Sequence, residues 1–401
     1  MAPPDYKGTI DLGLVDGLHR SSRRRHDLLE DGQHHQVVSC PAPNLRHVLV
    51  LLTHSMRVMK FKMPPLSVLD LAPIGTGSGS REALANTGKL ARLAERLGYT
   101  RFWLAEHHGM PSIASSSPEI LIEHVASLTQ RIRVGAGGIM LPNHAPLRIA
   151  EAFHTLEALH PGRIDLGIGR APGSDPVTSS ALRPFDAEQF PNQLAELLAL
   201  SRSEFPAGHP YHKVRVVPSD VELPPVWLLG SSGASARLAG SLGMGYGFAS
   251  HFSPTPPEPA LEAYRAAFQP SKEFPSPHVI LGVSVICADS DEEAEYLGSS
   301  MALSWVRLRR GEFAPLAAPE DAVKYPYTDF ERTIVADYRR LQVIGSPETV
   351  HRQLEAMVQR HAPDELMVST MVHDPEARRR SYELLKGTSS GAASSAAEQA
   401  P

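Results

Sequence analysis

Polar side chains able to do chemistry follow five apolar segments of this 401-residue chain, directly after each segment ends. These groups are Glu106-His107-His108-Gly109, Pro142-Asn143-His144, Gly169-Arg170-Ala171-Pro172-Gly173, Gly230-Ser231-Ser232-Gly233 and Ser250-His251-Phe252. Histidine titrates near neutral pH and can transfer protons or hydrogen-bond a cofactor, while arginine offers a planar fork to phosphate or carboxylate. If the apolar segments are parallel strands, their ends meet at one face, and the pattern predicts a single site there.

The Gly230-Ser231-Ser232-Gly233 turn opens a predicted helix and allows two interpretations. Free backbone N–H groups, the helix dipole and small side chains favour a bound anion such as phosphate. The alternative is a simple serine N-cap. Arg170 favours the anion because its guanidinium could contact the same phosphate, although it could equally pair with a carboxylate nearby.

Glu106, His107 and His108 together invite a metal interpretation. Adjacent residues on a strand point to opposite faces, so the two histidines are a poor chelating pair. No cysteine lies near them, and no His-Glu-x-x-His spacing occurs in the chain. We therefore predict no catalytic metal, and interpret His107 as a proton-transferring or cofactor-binding residue or as a structural histidine.

One predicted strand contains three closely spaced glycines, Gly135, Gly137 and Gly138. Glycine weakens the interior of a strand, so three of them indicate a place where something approaches the backbone closely. One interpretation is a flat ligand lying against this wall. The other is a bulge or tight bend in the sheet.

Strands and helices alternate from about Leu66 to Leu385, and this alternation would position the polar groups. Strands are predicted at Leu66–Leu71, Arg101–Ala105, Ile132–Leu141, Ile164–Ile168, Pro225–Leu229, Tyr246–Ala249, Val279–Cys287 and Leu366–Thr370. Helices are predicted around Leu84–Leu97, Pro118–Leu128, Ala145–Leu159 and Ala234–Leu242. Repeated βα units with apolar strands are typical of a parallel sheet with helices outside. Eight units predict an α/β barrel of the TIM type, with a doubly wound open sheet as the alternative.

The two ends of the chain lack this alternation. Residues 1–62 mix Pro, His, Arg and Asp without periodicity, and we predict a disordered N-terminal extension. Residues 388–401 form an Ala/Ser-rich segment that we predict to be a disordered tail. The barrel domain is therefore expected over residues 63–387.

The composition of the chain indicates which classes of protein function can be set aside. The chain is 42% hydrophobic and 21% charged, which is ordinary for a globular protein, and its net charge of −5 is spread along the sequence. Neither a nucleic-acid groove nor a membrane-binding face is indicated, and no apolar run reaches the roughly 18 residues of a bilayer span. Cys40 and Cys287 cannot build a disulfide framework. We expect a cytoplasmic protein that binds neither nucleic acid nor membrane.

In this order, the motifs resemble those of the bacterial luciferase-like family of flavin-dependent monooxygenases and oxidoreductases. The segments that carry the resemblance are Phe102-Trp-Leu-Ala-Glu-His-His108, Val134-Gly-Ala-Gly-Gly-Ile-Met-Leu-Pro-Asn143, Gly162-Arg-Ile-Asp-Leu-Gly-Ile-Gly-Arg170, Leu229-Gly-Ser-Ser232 and Val343-Ile-Gly-Ser-Pro-Glu-Thr349. The resemblance implies a luciferase-like (β/α)8 barrel with an insertion. It also implies FMN as the cofactor, often in its reduced form.

The same resemblance implies roles for individual residues. His107 matches the active-site histidine of the family, and Glu106 matches its neighbouring carboxylate. Gly137 and Gly138 match a segment that lies against the isoalloxazine ring and that in relatives can contain a non-proline cis peptide. Around the flavin phosphate, contacts are implied for Arg170, Gly230, Ser231, Ser232 and Gly233.

Two departures from the luciferases matter. Gly169 stands where they have a reactive cysteine, and their second phosphate arginine has Asn192 or Gln193 as its nearest counterpart here. The resemblance therefore implies a non-covalent, weakly held flavin and gives no ground for expecting light emission.

The implied activity is a monooxygenase that uses reduced FMN and O2 on a small organic substrate, with His107 handling a proton. The implied partners are an NAD(P)H:flavin reductase and a second copy of the chain in a homodimer. One alternative is a deazaflavin-dependent hydride-transfer dehydrogenase on the same barrel, and another is a flavin-binding protein without turnover. The loops Ala171–Pro184 and His251–Pro257 are expected to select the substrate.

Overall fold

A computed structural model describes residues 62–184 and 186–391 of the chain. The predicted N-terminal extension lies almost wholly outside these residues, as does most of the predicted tail, and both stay predictions. The last helix ends at Gly391, past the expected domain boundary at residue 387.

Parallel strands form one sheet at the centre of the described residues. The strands are β1 (Leu66–Asp70), β2 (Arg101–Leu104), β3 (Arg133–Met140), β4 (Ile164–Gly169), β5 (Val226–Gly230), β6 (Gly245–Phe248), β7 (Val279–Cys287), β8 (Gln342–Gly345) and β9 (Glu365–Ser369). All eight predicted strands are present, with bounds within about two residues of those expected. The ninth, β8, was not predicted.

Pairing between β6 and β7 closes the sheet into a barrel. Around the barrel the order is β1, β2, β3, β4, β5, β6, β7 and β9, and β8 lies outside it, paired only with the C-terminal end of β7. An open doubly wound sheet has two free edges and no such closure, so that alternative is wrong. The predicted TIM-type barrel is confirmed.

Helices follow the strands and cover the barrel. They are α1 (Ser80–Arg96), α2 (Pro118–Leu128), α3 (Pro146–Leu159), α4 (Pro176–Leu182), α5 (Phe190–Arg202), α6 (Gly233–Ser241), α7 (Glu258–Ala267), α8 (Asp291–Arg309), α9 (Pro319–Lys324), α10 (Asp329–Arg339), α11 (Pro347–His361) and α12 (Pro375–Gly391). The insertion comprises α8, α9 and α10, between β7 and β8. Within residues 62–184 and 186–391, no helix has the length and apolar character that crossing a bilayer requires.

Side chains alternate between the two faces of each strand and so build two cores. Val68 and Phe102 point outward and pack with the surrounding helices in the main core. Leu69, Trp103 and Trp227 point inward and fill the interior of the barrel. A filled interior leaves chemistry to the loops at the ends of the strands.

The N-terminal end of the barrel interior is closed by a buried ionic cluster. Arg101 donates to Asp165 at 2.9 Å and to Glu365 at 2.9 Å, and all three side chains are buried. Arg133 donates to the second oxygen of Asp165 at 2.7 Å. The Arg101 guanidinium also lies 4.7 Å from the centre of the Trp227 ring. Because these residues stand at the beginnings of their strands, the cluster lies at the end of the barrel opposite the predicted site.

Candidate active site

The polar groups singled out from the sequence all follow the C-terminal ends of barrel strands. Glu106, His107 and His108 come directly after β2, and the group that contains His144 follows β3. Arg170 follows β4, and the pairing of Ile168 with Leu228 places it in register with Gly230 at the end of β5. The strand order therefore brings these groups to one mouth of the barrel.

Glu106 is the most connected side chain at this mouth, and it is fully buried. Its Oε1 accepts from His108 Nε2 at 2.9 Å, from Asn143 Nδ2 at 3.0 Å and from His144 Nε2 at 3.0 Å. Its Oε2 accepts from the Met140 N–H at 2.8 Å and lies 3.0 Å from His144 Nε2. The carboxylate thus joins the loops after β2 and β3 into one hydrogen-bonded unit.

These contacts decide the charge of Glu106. Burial by itself raises the pKa of a carboxyl group, but hydrogen bonds from His144, His108 and the Met140 N–H outweigh it and hold the pKa below its usual value. Glu106 is therefore ionised at neutral pH. Its hydrogen-bond partners are His108 and His144, not the neighbouring His107, which sequence reasoning did not distinguish.

His107 differs from His108 and His144 because its ring makes no hydrogen bond to Glu106, and its Nδ1 is deeply buried. That atom has no partner within the described residues. Burial lowers the pKa of His107 to about 4, against a smaller opposing effect of the Glu106 charge. The ring is consequently neutral at physiological pH and keeps an unsatisfied nitrogen, which a bound molecule can satisfy.

His251, after β6, lies close enough to His107 for the two rings to interact electrostatically. Burial, together with a smaller effect of the nearby His107, lowers the pKa of His251 to about 4. The ring rests on Gly282 of β7, where a Cβ would lie 2.7 Å from His251 Nδ1. β2 and β6 stand on opposite sides of the barrel, so the two neutral rings come to its mouth from different sides.

The glycine-rich stretch of β3 contains a bulge. Its register against β4 shifts between Ala136 and Ile139, and the peptide bond between Gly137 and Gly138 is cis. A Cβ at Gly138 would lie 2.6 Å from Leu229 Cδ1 and 2.8 Å from the Gly167 carbonyl oxygen. The bulge interpretation is confirmed, and close packing within the barrel explains the glycines; that a ligand lies against them stays a prediction.

The Gly230–Gly233 turn begins α6 as predicted, and Ser232 is its N-cap. The Ser232 hydroxyl accepts from the Ser235 N–H at 3.5 Å, so the N-cap interpretation holds for this residue. Ser231 makes no hydrogen bond within the described part of the chain. Arg170 is exposed and pairs with no carboxylate among the described residues, which removes the alternative of a carboxylate partner there.

Arg237 is a cation at the same turn that sequence reasoning missed. Its Nη1 lies 3.4 Å from where a Gly233 Cβ would be, so the guanidinium covers the first turn of α6. The counterparts expected from sequence are placed differently. Asn192, on α5, donates to Gln189, just before that helix, at 3.2 Å, and the Oε1 of Gln193 is buried without a partner in the described chain. The i, i+4 spacing of Gly233 and Arg237 was the available signal.

Gly169 has no room for a side chain. A Cβ there would lie 2.9 Å from Met140 Sδ, so the methionine occupies the space beside the end of β4. Among the described residues, no group of three or more His, Cys, Asp or Glu side chains has an arrangement that could hold a metal ion.

Residues 65–364 match the luciferase-like monooxygenase family. The chain belongs to this family. A luciferase-like monooxygenase of Escherichia coli strain K12 is 44% identical over 329 residues, which cover 81% of this chain and 97% of that protein. The N-acetyl-S-alkylcysteine monooxygenase of Bacillus subtilis strain 168 is 35% identical, over 80% of this chain and 96% of that protein. The crystal structure of apo-MsnO8 superimposes with a TM-score of 0.74 at 38% identity, covering 81% of this chain and 98% of that one.

Two more distant structures share the luciferase-like fold alone. The oxygenating constituent of 3,6-diketocamphane monooxygenase from Pseudomonas putida, in complex with FMN, has a TM-score of 0.58 at 20% identity and covers 81% of this chain and 97% of that one. An F420-dependent secondary alcohol dehydrogenase has a TM-score of 0.55 at 14% identity, over 81% and 99% of the two chains.

Proposed function

We propose that this chain is the oxygenase of an FMN-dependent monooxygenase, which uses reduced FMN and O2 on a small organic substrate. The observation that carries the proposal is the pairing of unsatisfied groups at one mouth: an unpartnered Arg170 beside the unpartnered Ser231, and a buried, unpartnered His107 Nδ1. A phosphate and a polar heteroaromatic ring on one molecule would satisfy all three. FMN has both.

The phosphate fits the turn before α6. Arg170 and Ser231 offer charged and neutral donors, and the free N–H groups of Gly233 and its neighbours add the positive end of the helix. Arg237 would supply a second cation from the first turn of α6. The resemblance offered Asn192 or Gln193 as the nearest counterpart of a second phosphate-binding arginine, and Arg237 replaces them in the proposal.

The ring would lie against the bulge at Gly137 and Gly138, where Gly137 is half-buried and carries no side chain. When bound, the reduced flavin supplies the two electrons that activate O2, and the protein orients it and keeps water away. His107, being neutral, offers a hydrogen bond at a place where charge develops and adds no competing positive charge. Glu106 is buried beneath this surface and would act through its hydrogen bonds to His108 and His144.

A flavin reductase is the partner that this activity requires, since reduced FMN must be supplied from NAD(P)H. We keep the homodimer and a cytoplasmic location as expectations of the proposal. A deazaflavin-dependent dehydrogenase and a flavin-binding protein without turnover remain the alternatives. The N-acetyl-S-alkylcysteine monooxygenase of Bacillus subtilis makes S-alkylated N-acetylcysteines the first substrates to try.

Titration of the protein with FMN, followed by flavin fluorescence, tests the proposal. Arg170→Gln should weaken FMN binding by roughly 10- to 150-fold, because a charge-assisted hydrogen bond contributes about 1.5–3 kcal/mol. Arg96→Gln is the matched control. It removes the same charge from an exposed arginine at the C-terminal end of α1, and this arginine has no partner among the described residues. Its FMN affinity should equal that of the wild type.

The outcomes separate the alternatives. Binding of neither oxidised nor reduced FMN would overturn the proposal, and selective binding of a deazaflavin would favour the dehydrogenase. Bound FMN without conversion of any compound of the substrate panel, in the presence of a flavin reductase, NAD(P)H and O2, would favour the binding protein. Incorporation of 18O from labelled O2 into a product would establish monooxygenation.

A further inference from the structure

The cluster around Glu106 carries an inference about proton transfer that rests on the proposed function and deepens it. Two imidazoles approach the same carboxylate through the same ring atom. His108 Nε2 lies 2.9 Å from Oε1, and His144 Nε2 lies 3.0 Å from both oxygens. The two histidines come from different strand ends, yet both present Nε2 to Glu106.

An ionised carboxylate accepts hydrogen bonds and donates none. Its oxygens also receive the Met140 N–H and the Asn143 amide, so no proton needs to sit on Glu106 to complete the network. Each Nε2 must therefore carry a hydrogen. In a neutral imidazole this leaves Nδ1 as a bare acceptor, and neither Nδ1 has a partner among the described residues.

We infer that Glu106 is a positioning residue that fixes His108 and His144 in the Nε2–H tautomer, so that their Nδ1 atoms are the proton acceptors of the site. A proton taken from a substrate or a water molecule at Nδ1 makes an imidazolium. The imidazolium keeps its Nε2–H bond to Glu106, and the carboxylate balances its charge. A carboxylate that orients a histidine and stabilises its protonated form works in the same way in hydrolases.

The solvent exposure of Glu106, His108 and His144 agrees with these separate roles. The carboxylate is fully buried, while the side chains of His108 and His144 are 15% and 23% exposed. Their rings therefore reach the mouth while Glu106 stays behind them. Asn143 adds a second unsatisfied group to the cluster, because its Oδ1 is buried without a donor in the described chain. A hydroxyl or amide N–H of an incoming molecule would fill that place.

His107 has a different role from His108 and His144. Burial keeps its ring neutral and no carboxylate contacts it, so it lacks the support that an imidazolium needs. The structure thus separates two tasks that sequence reasoning gave to one residue. His107 hydrogen-bonds in its neutral form, and the proton goes to His108 or His144.

Nitrogen-15 spectra of histidine-labelled protein test the inference, because the shifts of Nδ1 and Nε2 report which nitrogen carries hydrogen. His108→Gln and His144→Gln identify the two spin systems. In the wild type, the neutral form of each ring should show a protonated Nε2 and a bare Nδ1. In Glu106→Gln one amide oxygen replaces two carboxylate oxygens, and at least one of the two rings should shift toward the Nδ1–H tautomer.

Glu123→Gln is the matched control. It removes a carboxylate that lies 2.7 Å from His160 Nε2, far from the mouth, and should alter the His160 signals alone. A wild-type ring found as Nδ1–H, at position 108 or 144, overturns the inference. So does a Glu106→Gln spectrum in which both rings keep their wild-type tautomer. If Glu106→Gln does not fold, the wild-type spectrum still decides.

Flavin binding separates this inference from the proposed function. Glu106→Gln should keep the wild-type affinity for FMN, while Arg170→Gln should lose affinity and keep the wild-type tautomers. If the wild type does not bind FMN, the proposed function fails and the tautomers remain a separate finding. If FMN binds and either wild-type ring is found as Nδ1–H, the inference about Glu106 fails and the proposed function is unaffected.

Discussion

Replacing Arg101 with methionine tests the physical account of the barrel floor. Methionine preserves much of the apolar stem but removes the guanidinium that joins Asp165 to Glu365. Asp165 would keep Arg133 at 2.7 Å and the Trp103 N–H at 3.1 Å. Glu365 would keep only the Ser67 hydroxyl and His278, whose Nε2 lies 3.5 Å away. The variant therefore leaves one poorly compensated buried carboxylate.

The magnitude follows from that loss. Breaking a buried ion pair by removing one partner costs about 3–5 kcal/mol of unfolding free energy, since the remaining charge stays buried. Loss of the contact with the Trp227 ring adds to this cost by about 0.5–2 kcal/mol. For a domain of this size, we expect the unfolding midpoint to fall by roughly 5–10 °C.

Urea and thermal unfolding of the wild type and three variants provide the measurement. Arg340→Met removes an exposed pair with Asp337 at 3.1 Å and should change stability by less than about 0.5 kcal/mol. Arg101→Met combined with Glu365→Gln should be more stable than Arg101→Met alone, because it removes the uncompensated charge. A loss below about 1 kcal/mol in the single variant, or no recovery in the double variant, would refute the reasoning.

Two further predictions concern the mouth and the barrel interior. His107 and His251 have folded pKa values of about 4, below the unfolded value near 6.5, so the unfolded chain binds more protons and stability should fall as the pH drops from 6.5 to 4. Unfolding free energies measured across this range should decrease by up to about 1.4 kcal/mol per pH unit for each histidine, and His107→Gln should flatten the slope; an unchanged slope would contradict the burial of its ring. Gly245→Ala would place a Cβ 2.2 Å from Trp227 Cε3 and should cost about 1–3 kcal/mol in the same assay, whereas Gly208→Ala, with open space around it, should be near neutral. Equal effects of the two alanines would show that the Trp227 ring can move aside.

The sequence predicted the barrel because its eight strands are apolar runs with helices between them, and that signal is local. β8, Gln342–Gly345, was missed because its two apolar residues, Val343 and Ile344, are too few to stand out as an apolar run. The bulge in β3 was one of two interpretations of the same glycines. Identifying the bulge required the neighbouring strand, since the contact partner of Gly138 is Gly167, on β4.

The sequence predicted which loops form the site. It did not predict the hydrogen bonds between the side chains of those loops. The resemblance gave Glu106 as the carboxylate that neighbours the active-site histidine, His107, but its side-chain contacts include His108 and His144 and not His107. Which ring reaches a carboxylate depends on rotamers and on how two loops meet, and residue order does not encode either directly. Arg237 looked like an ordinary surface cation on a helix, and its position over the turn appears only with the side chain in place.

Hydrogen bonds tie the insertion between β7 and β8 into the barrel, and this restricts how the mouth can open. β8 pairs with β7 from Ser284 to Cys287, and Leu316 exchanges backbone hydrogen bonds with the loop after β1. Swinging α8–α10 away as a lid would break the Leu316 hydrogen bonds. Such a swing is therefore disfavoured as a way of opening the mouth. In amide hydrogen exchange, the backbone of β8 should exchange on the slow timescale of the barrel wall, and the residues around His251 much faster.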